Sequence, residues 1–109
     1  MAITWITGNS GSGKTTLAKR LKKNEVMLDG DAVRAIWPGL GFSPEDRREN
    51  NLRVARLALE LETQGFDVIV STICPYKELR AEVQLMTKCR FIFLPGGKSD
   101  VNHPYEWEI

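Results

Sequence analysis

The sequence contains no long hydrophobic run. None of its segments approaches the roughly 20 consecutive apolar residues that a membrane-spanning helix needs. Its first seven residues include neither the basic start nor the small-residue cleavage site of a secretory signal. These two absences predict a protein that works in the cytoplasm and does not interact with a membrane.

Cysteine, histidine and net charge are also scarce. The two cysteines, Cys74 and Cys89, are not spaced as a CxxC pair, so we expect both to be reduced, and no zinc or redox site is indicated. The one histidine, His103, stands beside Pro104 in an irregular segment and is not expected to act as an acid or base. A net charge of +1 provides no overall basic field, so we expect no nucleic-acid partner.

What the sequence does contain is an alternation of β-rich and helical segments. Short apolar runs predict strands at 3–7, 26–28, 67–72 and 90–94, and helical patterns lie at 13–23, 44–63 and 78–88. The longest helix is predicted to begin with Ser43 as its cap and Pro44 in its first position. This order predicts an α/β fold with a parallel sheet of about four strands and helices on both faces. Residues 1–94 are expected to form this one domain, and residues 95–109 an irregular C-terminal tail.

Residues 8–15 fit the phosphate-binding pattern GxxxxGK[ST], between a predicted strand and a predicted helix. Backbone N–H groups of such a P-loop point inward, and the following helix adds the positive end of its dipole, so phosphates bind there. Lys14 is expected to reach the β- and γ-phosphates, and the Thr15 hydroxyl to bind the accompanying magnesium. The residues expected to hold the nucleotide are Gly8, Ser10, Gly11, Ser12, Gly13, Lys14, Thr15 and Thr16. The motif predicts a P-loop NTPase-type sheet, but kinases, NTPases and nucleotide-sensing switches all share it.

Two carboxylates, Asp29 and Asp31, follow the second predicted strand. In open parallel sheets, ligands bind at the carboxyl ends of the strands. A carboxylate beside bound phosphates can orient a hydroxyl group and receive its proton, so we favour a functional role for Asp31. The alternative interpretation is an ordinary Asp-Gly turn.

Polar residues replace apolar ones at the N-terminal end of the helix predicted at 44–63. The apolar stripe of this helix continues to Arg47, Asn50 and Asn51. A guanidinium and carboxamides in that position indicate a lined pocket rather than a plain amphipathic helix. The other arginines of the helix, Arg48, Arg53 and Arg56, are interpreted as surface charges.

These motifs together resemble those of the adenylylsulfate kinases, P-loop kinases that phosphorylate the ribose 3′-hydroxyl of adenylylsulfate with ATP and magnesium. The resemblance lies in segments 8–16, 28–34, 41–50 and 70–76, which occur in the family's order. It implies that Asp31 accepts the proton of the attacking hydroxyl, that Lys14 acts on the phosphates, and that Asp29 helps to hold magnesium through water. The substrate-binding residues that it implies are Arg34, Phe42, Arg47 and Asn50, with Ile73 and Pro75 shaping the pocket.

The sequence also departs from the family. Asn51-Leu52 stands where the family has Ile-Arg, Cys74 replaces a serine, and Lys77 replaces an arginine. After Leu94 the family's Arg-Asp segment and basic lid are not recognisable, and the chain passes to a Tyr-Glu pair at 105–106 that resembles one near the family's C-terminal end. Lys98 is expected to substitute only partly for the lid, and Tyr105 and Trp107 are expected to cover the core or to pack in a homodimer.

Two classes of function therefore remain open. The leading hypothesis is a kinase that transfers the γ-phosphoryl group of ATP to adenylylsulfate, a small-molecule acceptor. The alternatives are a nucleotide-binding module that has no kinase activity and a small kinase for another alcohol.

Overall fold

Four parallel strands form the centre of the fold in the computed structural model, which describes residues 2–9, 11–96 and 105–106. The strands are β1 (Ile3–Gly8), β2 (Val26–Asp29), β3 (Val68–Thr72) and β4 (Arg90–Leu94). Their order across the sheet is β2-β3-β1-β4, so β1, which precedes the P-loop, is central. All three strand pairs are parallel, with Ile3 opposite Val68 and Thr4 opposite Arg90. The predicted α/β fold is confirmed.

Four helices connect and cover the strands. They are α1 (Lys14–Leu21), α2 (Gly30–Ile36), α3 (Pro44–Thr63) and α4 (Lys77–Thr87). The start of α3 is as predicted, because the Ser43 side chain accepts a hydrogen bond from the amide of Asp46 and Pro44 takes the first turn. The first helix begins one residue later and ends two residues earlier than the prediction of 13–23, because Gly13 is left-handed and Lys22 already has an extended backbone.

Helix α2 was not predicted from the sequence. The Asp-Gly pair at its start is typical of a turn. In the structure, the Asp29 side chain instead accepts a hydrogen bond from the amide of Asp31 and caps a seven-residue helix. The two carboxylates therefore belong to different elements, Asp29 to the end of β2 and Asp31 to the first turn of α2.

The helices pack on both faces of the sheet, as predicted. One face carries α2, α3 and α4 over the larger cluster of buried apolar residues, which includes Trp5, Val54, Val70 and Val83. The other face carries α1 over a smaller cluster of Ile6, Ala18 and Ile69. Successive residues of β1 point to opposite faces, so Trp5 and Ile6 belong to different clusters. The fold positions the carboxyl ends of all four strands at one edge.

The C-terminal tail is described only at Pro95, Gly96, Tyr105 and Glu106. Tyr105 is buried, whereas Lys98, His103 and Trp107 lie outside the described residues, as does Ser10 of the P-loop. Among the helices that the structure describes, none combines the length and the apolar composition needed to cross a membrane.

Candidate active site

The P-loop follows β1 and leads into α1. Gly11 and Gly13 have φ angles of 79° and 93°, a region that residues with a Cβ rarely adopt. Gly8 is required for a different reason, because a Cβ there would lie 2.5 Å from the carbonyl oxygen of Leu94 in β4. The glycines thus let the loop turn tightly against the neighbouring strand, with the N-terminus of α1 facing the cavity.

Lys14 lies at the first position of α1 and is half-buried. Its Nζ donates a hydrogen bond to the carbonyl oxygen of Asn9, 3.0 Å away. Burial lowers the pKa of Lys14, and the charges of Asp31 and Asp29 oppose that shift. The lysine is therefore within electrostatic reach of both carboxylates, which line the same cavity.

The Thr15 hydroxyl and the Asp29 carboxylate lie side by side. Thr15 Oγ1 donates a hydrogen bond to Asp29 Oδ2 at 2.8 Å, and Asp29 Oδ1 accepts one from the amide of Asp31 at 2.9 Å. Magnesium prefers oxygen ligands and usually keeps several waters, taking only one or two protein groups plus phosphate oxygens. Within the described residues there is no group of three or more acidic, cysteine or histidine ligands. This hydroxyl–carboxylate pair beside a P-loop fits a magnesium ion held mainly by nucleotide and water.

Two arginines flank an exposed aromatic ring at the far side of the cavity. Phe42 is 69% exposed, and the guanidinium carbons of Arg34 and Arg47 lie 4.7 and 5.4 Å from the centre of its ring. Arg34 Nη1 donates to the carbonyl oxygen of Gly41 at 2.7 Å, and Arg47 Nε donates to that of Phe42 at 2.7 Å. These bonds fix both side chains to the loop between α2 and α3. Planar guanidinium groups held this way suit an anion such as a phosphosulfate.

The two asparagines of α3 are buried against the sheet. Asn50 Nδ2 donates to the carbonyl oxygen of Gly30 at 3.3 Å, whereas its buried Oδ1 has no partner among the described residues. Asn51 Nδ2 donates to the carbonyl oxygen of Arg47. Thr72 Oγ1 donates a hydrogen bond to Asn51 Oδ1 at 2.8 Å. The same hydroxyl oxygen of Thr72 accepts a hydrogen bond from Trp5 Nε1 at 2.9 Å. A buried chain of hydrogen bonds therefore links β1, β3 and the part of α3 that lines the cavity.

The remaining arginines of α3 are on the surface, as interpreted from the sequence. Arg48 pairs with Glu82 of α4 at 2.6 Å, and Arg53 and Arg56 both approach Glu49. The structure thus separates these three arginines from Arg47, which faces the cavity.

One cavity of about 270 Å³ brings most of the predicted site residues together. Its lining includes Gly11, Gly13, Lys14, Thr15, Thr16, Asp29, Asp31, Arg34, Phe42, Arg47, Asn50, Ile73 and Pro75. Gly8 and Ser12 are not among its lining residues. Asn51, which the sequence placed on the polar stripe that indicates a pocket, also lines the cavity, and three lining residues were not assigned to the site from the sequence: Gly30, Ser71 and Thr72. Ser71 and Thr72 end β3. They could have been predicted, because the carboxyl ends of parallel strands meet at the ligand-binding edge of the sheet.

Comparisons with known proteins agree with this geometry. A sequence model of the family described as adenylylsulphate kinase matches residues 1–94. An adenylyl-sulfate kinase from a Picosynechococcus species is 51% identical in an alignment of 89 positions that covers 73% of this chain and 50% of that protein. The chain spans about half the length of such curated relatives.

Solved structures give the same family. The Mycobacterium tuberculosis APS kinase in complex with AMPPNP and APS is 37% identical and superimposes with a TM-score of 0.70, covering 84% of this chain and 60% of that one. A hexameric APS kinase from Thiobacillus denitrificans is 29% identical with a TM-score of 0.74, covering 97% of this chain and 23% of that one.

Proposed function

The chain belongs to the adenylylsulphate kinase family, and we propose that it transfers the γ-phosphoryl group of ATP to the 3′-hydroxyl of adenylylsulfate. One observation carries the proposal: a single cavity is lined by the P-loop lysine, two carboxylates and two arginines. The M. tuberculosis relative, whose structure contains an ATP analogue and APS, supports the assignment of nucleotide and acceptor to this cavity.

The carboxylate of Asp31 is suited to receive the proton of the attacking hydroxyl. It is exposed to the cavity at the first turn of α2, and its backbone is fixed by the hydrogen bond to Asp29. Phosphoryl transfer needs little covalent help from the protein, so the main task of this group is to orient the hydroxyl. Asp29 is engaged with Thr15 and the Asp31 amide, which leaves Asp31 as the carboxylate for proton acceptance.

Lys14 and the glycine-rich loop would bind the phosphates that move and leave. Because Lys14 is already half-buried, it loses little further hydration when it contacts the phosphates. Burial lowers the pKa of Lys14, and the negative charge of bound phosphates would raise that pKa again. Arg34 and Arg47 would hold the phosphosulfate of the acceptor, with Phe42, Asn50, Ile73 and Pro75 forming the rest of its surroundings. Thr15 and Asp29 would hold magnesium, which neutralises charge on the phosphates when it is bound.

A nucleotide-binding module without kinase activity is the second candidate. A P-loop binds phosphates in the same way with or without phosphoryl transfer, and transfer also depends on lid closure and cations that can contribute several orders of magnitude in rate. Lys98, the residue expected to replace a lid cation in part, lies outside the described residues. A small kinase for another alcohol is the third outcome that the experiment below can reveal.

The decisive experiment measures ADP release from MgATP with and without adenylylsulfate. The kinase predicts ADP formation that depends on the acceptor, is lost in Lys14→Ala, and persists in Lys19→Ala, which removes an exposed lysine of the same helix. Nucleotide binding by calorimetry without any turnover would instead identify a binding module. ADP release with a different alcohol only would identify another acceptor.

We also propose a cytoplasmic location and a homo-oligomeric state. The T. denitrificans relative is hexameric. For this chain we propose a homodimer, the smallest homo-oligomer. Light scattering coupled to gel filtration distinguishes it from a monomer.

A further inference from the structure

The loop at residues 73–76, here called the pocket loop, joins β3 to α4 and lines the cavity through Ile73 and Pro75. Between these two residues, Cys74 has a φ angle of 41°. This left-handed backbone is costly for any residue with a Cβ and persists only where the surroundings hold it. The shape of the cavity at this loop therefore depends on what restrains it from behind.

The restraint is visible in the backbone of the pocket loop. Three consecutive carbonyl oxygens accept hydrogen bonds from three separate parts of the chain: Ile73 from the Thr7 hydroxyl at 2.6 Å, Cys74 from Arg80 Nη1 at 2.9 Å, and Pro75 from the amide of Glu106 at 2.7 Å. None of the three donors belongs to the loop itself.

Tyr105 stabilises two of these donors. Its hydroxyl lies 2.9 Å from Thr7 Oγ1. Because the one hydroxyl hydrogen of Thr7 is used by Ile73, Tyr105 is the donor in this contact. The ring of Tyr105 also lies 4.9 Å from the guanidinium carbon of Arg80, a side chain that is fully buried.

Glu106 holds the other side of the loop. Beyond its amide bond to Pro75, its carbonyl oxygen accepts a hydrogen bond from Arg80 Nη2. Its side-chain Oε1 accepts one from the amide of Lys77 at 2.9 Å, the first residue of α4. A carboxylate at that position satisfies a free helix N–H and is favoured by the helix dipole.

We propose that Tyr105 and Glu106 are positioning residues that hold the pocket loop in its left-handed conformation and so set the acceptor side of the cavity. They act through Ile73 and Pro75, not by touching the substrate. The substrate named in the test, adenylylsulfate, rests on the proposed function, but the state of the loop can be measured without it.

The kinetic test uses Tyr105→Phe in the full chain, with Tyr76→Phe as the matched loss of a hydroxyl from a tyrosine of the pocket loop itself. Removing the buried hydrogen bond to Thr7 should raise KM for adenylylsulfate by about five- to tenfold. KM for MgATP and kcat should stay within about twofold, because Ile73 and Pro75 of the pocket loop form the acceptor side of the cavity. A purely stabilising role would lower the melting temperature and leave both KM values unchanged, and that result would overturn the proposal.

The second readout is the reactivity of the Cys74 thiol, which is fully buried. In a Cys89→Ala background, Tyr105→Phe and Glu106→Ala should each increase the rate at which Ellman's reagent modifies Cys74 under native conditions. The increase should exceed the one expected from their lower global stability, because the pocket loop opens locally. Glu106→Gln, which retains an acceptor oxygen, should restore most of the protection. If the wild type does not turn over adenylylsulfate, the proposed function is wrong, but the thiol modification rates still test whether Tyr105 and Glu106 hold the pocket loop. Unchanged thiol rates in both variants would refute that role even in an active kinase.

Discussion

Thr72 is the central member of the buried chain of hydrogen bonds between the sheet and the part of α3 that lines the cavity. Its Oγ1 accepts from Trp5 Nε1 at 2.9 Å and donates to Asn51 Oδ1 at 2.8 Å. Thr72→Val keeps the shape of the side chain but removes both bonds, leaving a buried indole N–H and a buried amide oxygen without partners. Each of these two orphaned groups costs about 1–3 kcal/mol, so we expect the free energy of unfolding to fall by about 2–6 kcal/mol.

The assay is urea unfolding followed by tryptophan fluorescence. A loss of this size should lower the urea midpoint by at least about 1 M. Thr72→Ser is the matched control, because it keeps the hydroxyl and removes only the methyl group that lies against Gly30. Its loss should be about 1 kcal/mol.

Two results would refute the reasoning. One is a loss in Thr72→Val below about 0.5 kcal/mol, which is the size of an ordinary surface substitution. The other is an equal loss in Thr72→Ser, which would assign the effect to packing. The double variant Thr72→Val/Asn51→Leu should lose less than the sum of its single changes, because the second change removes an acceptor that the first had orphaned.

Three further predictions concern the site and its surroundings. Gly8→Ala should abolish nucleotide binding measured by calorimetry, because its Cβ would lie 2.5 Å from the carbonyl oxygen of Leu94; near-normal affinity would contradict the close approach of β4. Arg47→Lys should weaken adenylylsulfate binding by roughly tenfold or more, since a lysine cannot reproduce a planar pair of donors, and an unchanged KM would remove Arg47 from the acceptor site. Burial raises the pKa of the Cys74 thiol, so above the ordinary thiol pKa of 9.0 the unfolded chain loses this proton while the folded chain keeps it. The free energy of unfolding should therefore be unaffected by this group below pH 9.0 and should fall by about 1.4 kcal/mol per pH unit above it. Urea unfolding from pH 8 to 10.5 should therefore show a smaller alkaline loss in Cys74→Ala than in the wild type, and identical slopes would contradict it.

The α/β class and the P-loop could be predicted because their signals are local. A strand, a glycine-rich turn and a helix follow one another within residues 3–21, and each has its own residue pattern. The start of α3 was equally readable, since Ser43, Pro44 and a carboxylate at Asp46 form a cap within four residues. The interpretation that Arg47 lines a pocket followed from helical periodicity.

Helix α2 marks the limit of local reasoning. Its first residues favour a turn, and seven residues are too few to show a helical period. Packing of Val33 into the larger core decides the outcome instead. The sequence therefore located both carboxylates but could not assign Asp31 to a helix.

The sequence by itself determined the order of the elements, the phosphate-binding loop and the family resemblance, because each depends on residues close together in the chain. Only the tertiary structure decided which polar groups meet: Thr72 with Trp5 and Asn51, and Tyr105 with Thr7. These partners are 21 to 98 positions apart, and no periodicity or motif connects residues at such separations. Their contacts follow from how the sheet and the helices pack. A polar group buried by that packing loses its hydrogen bonds to water and is stable only if it forms a hydrogen bond within the protein.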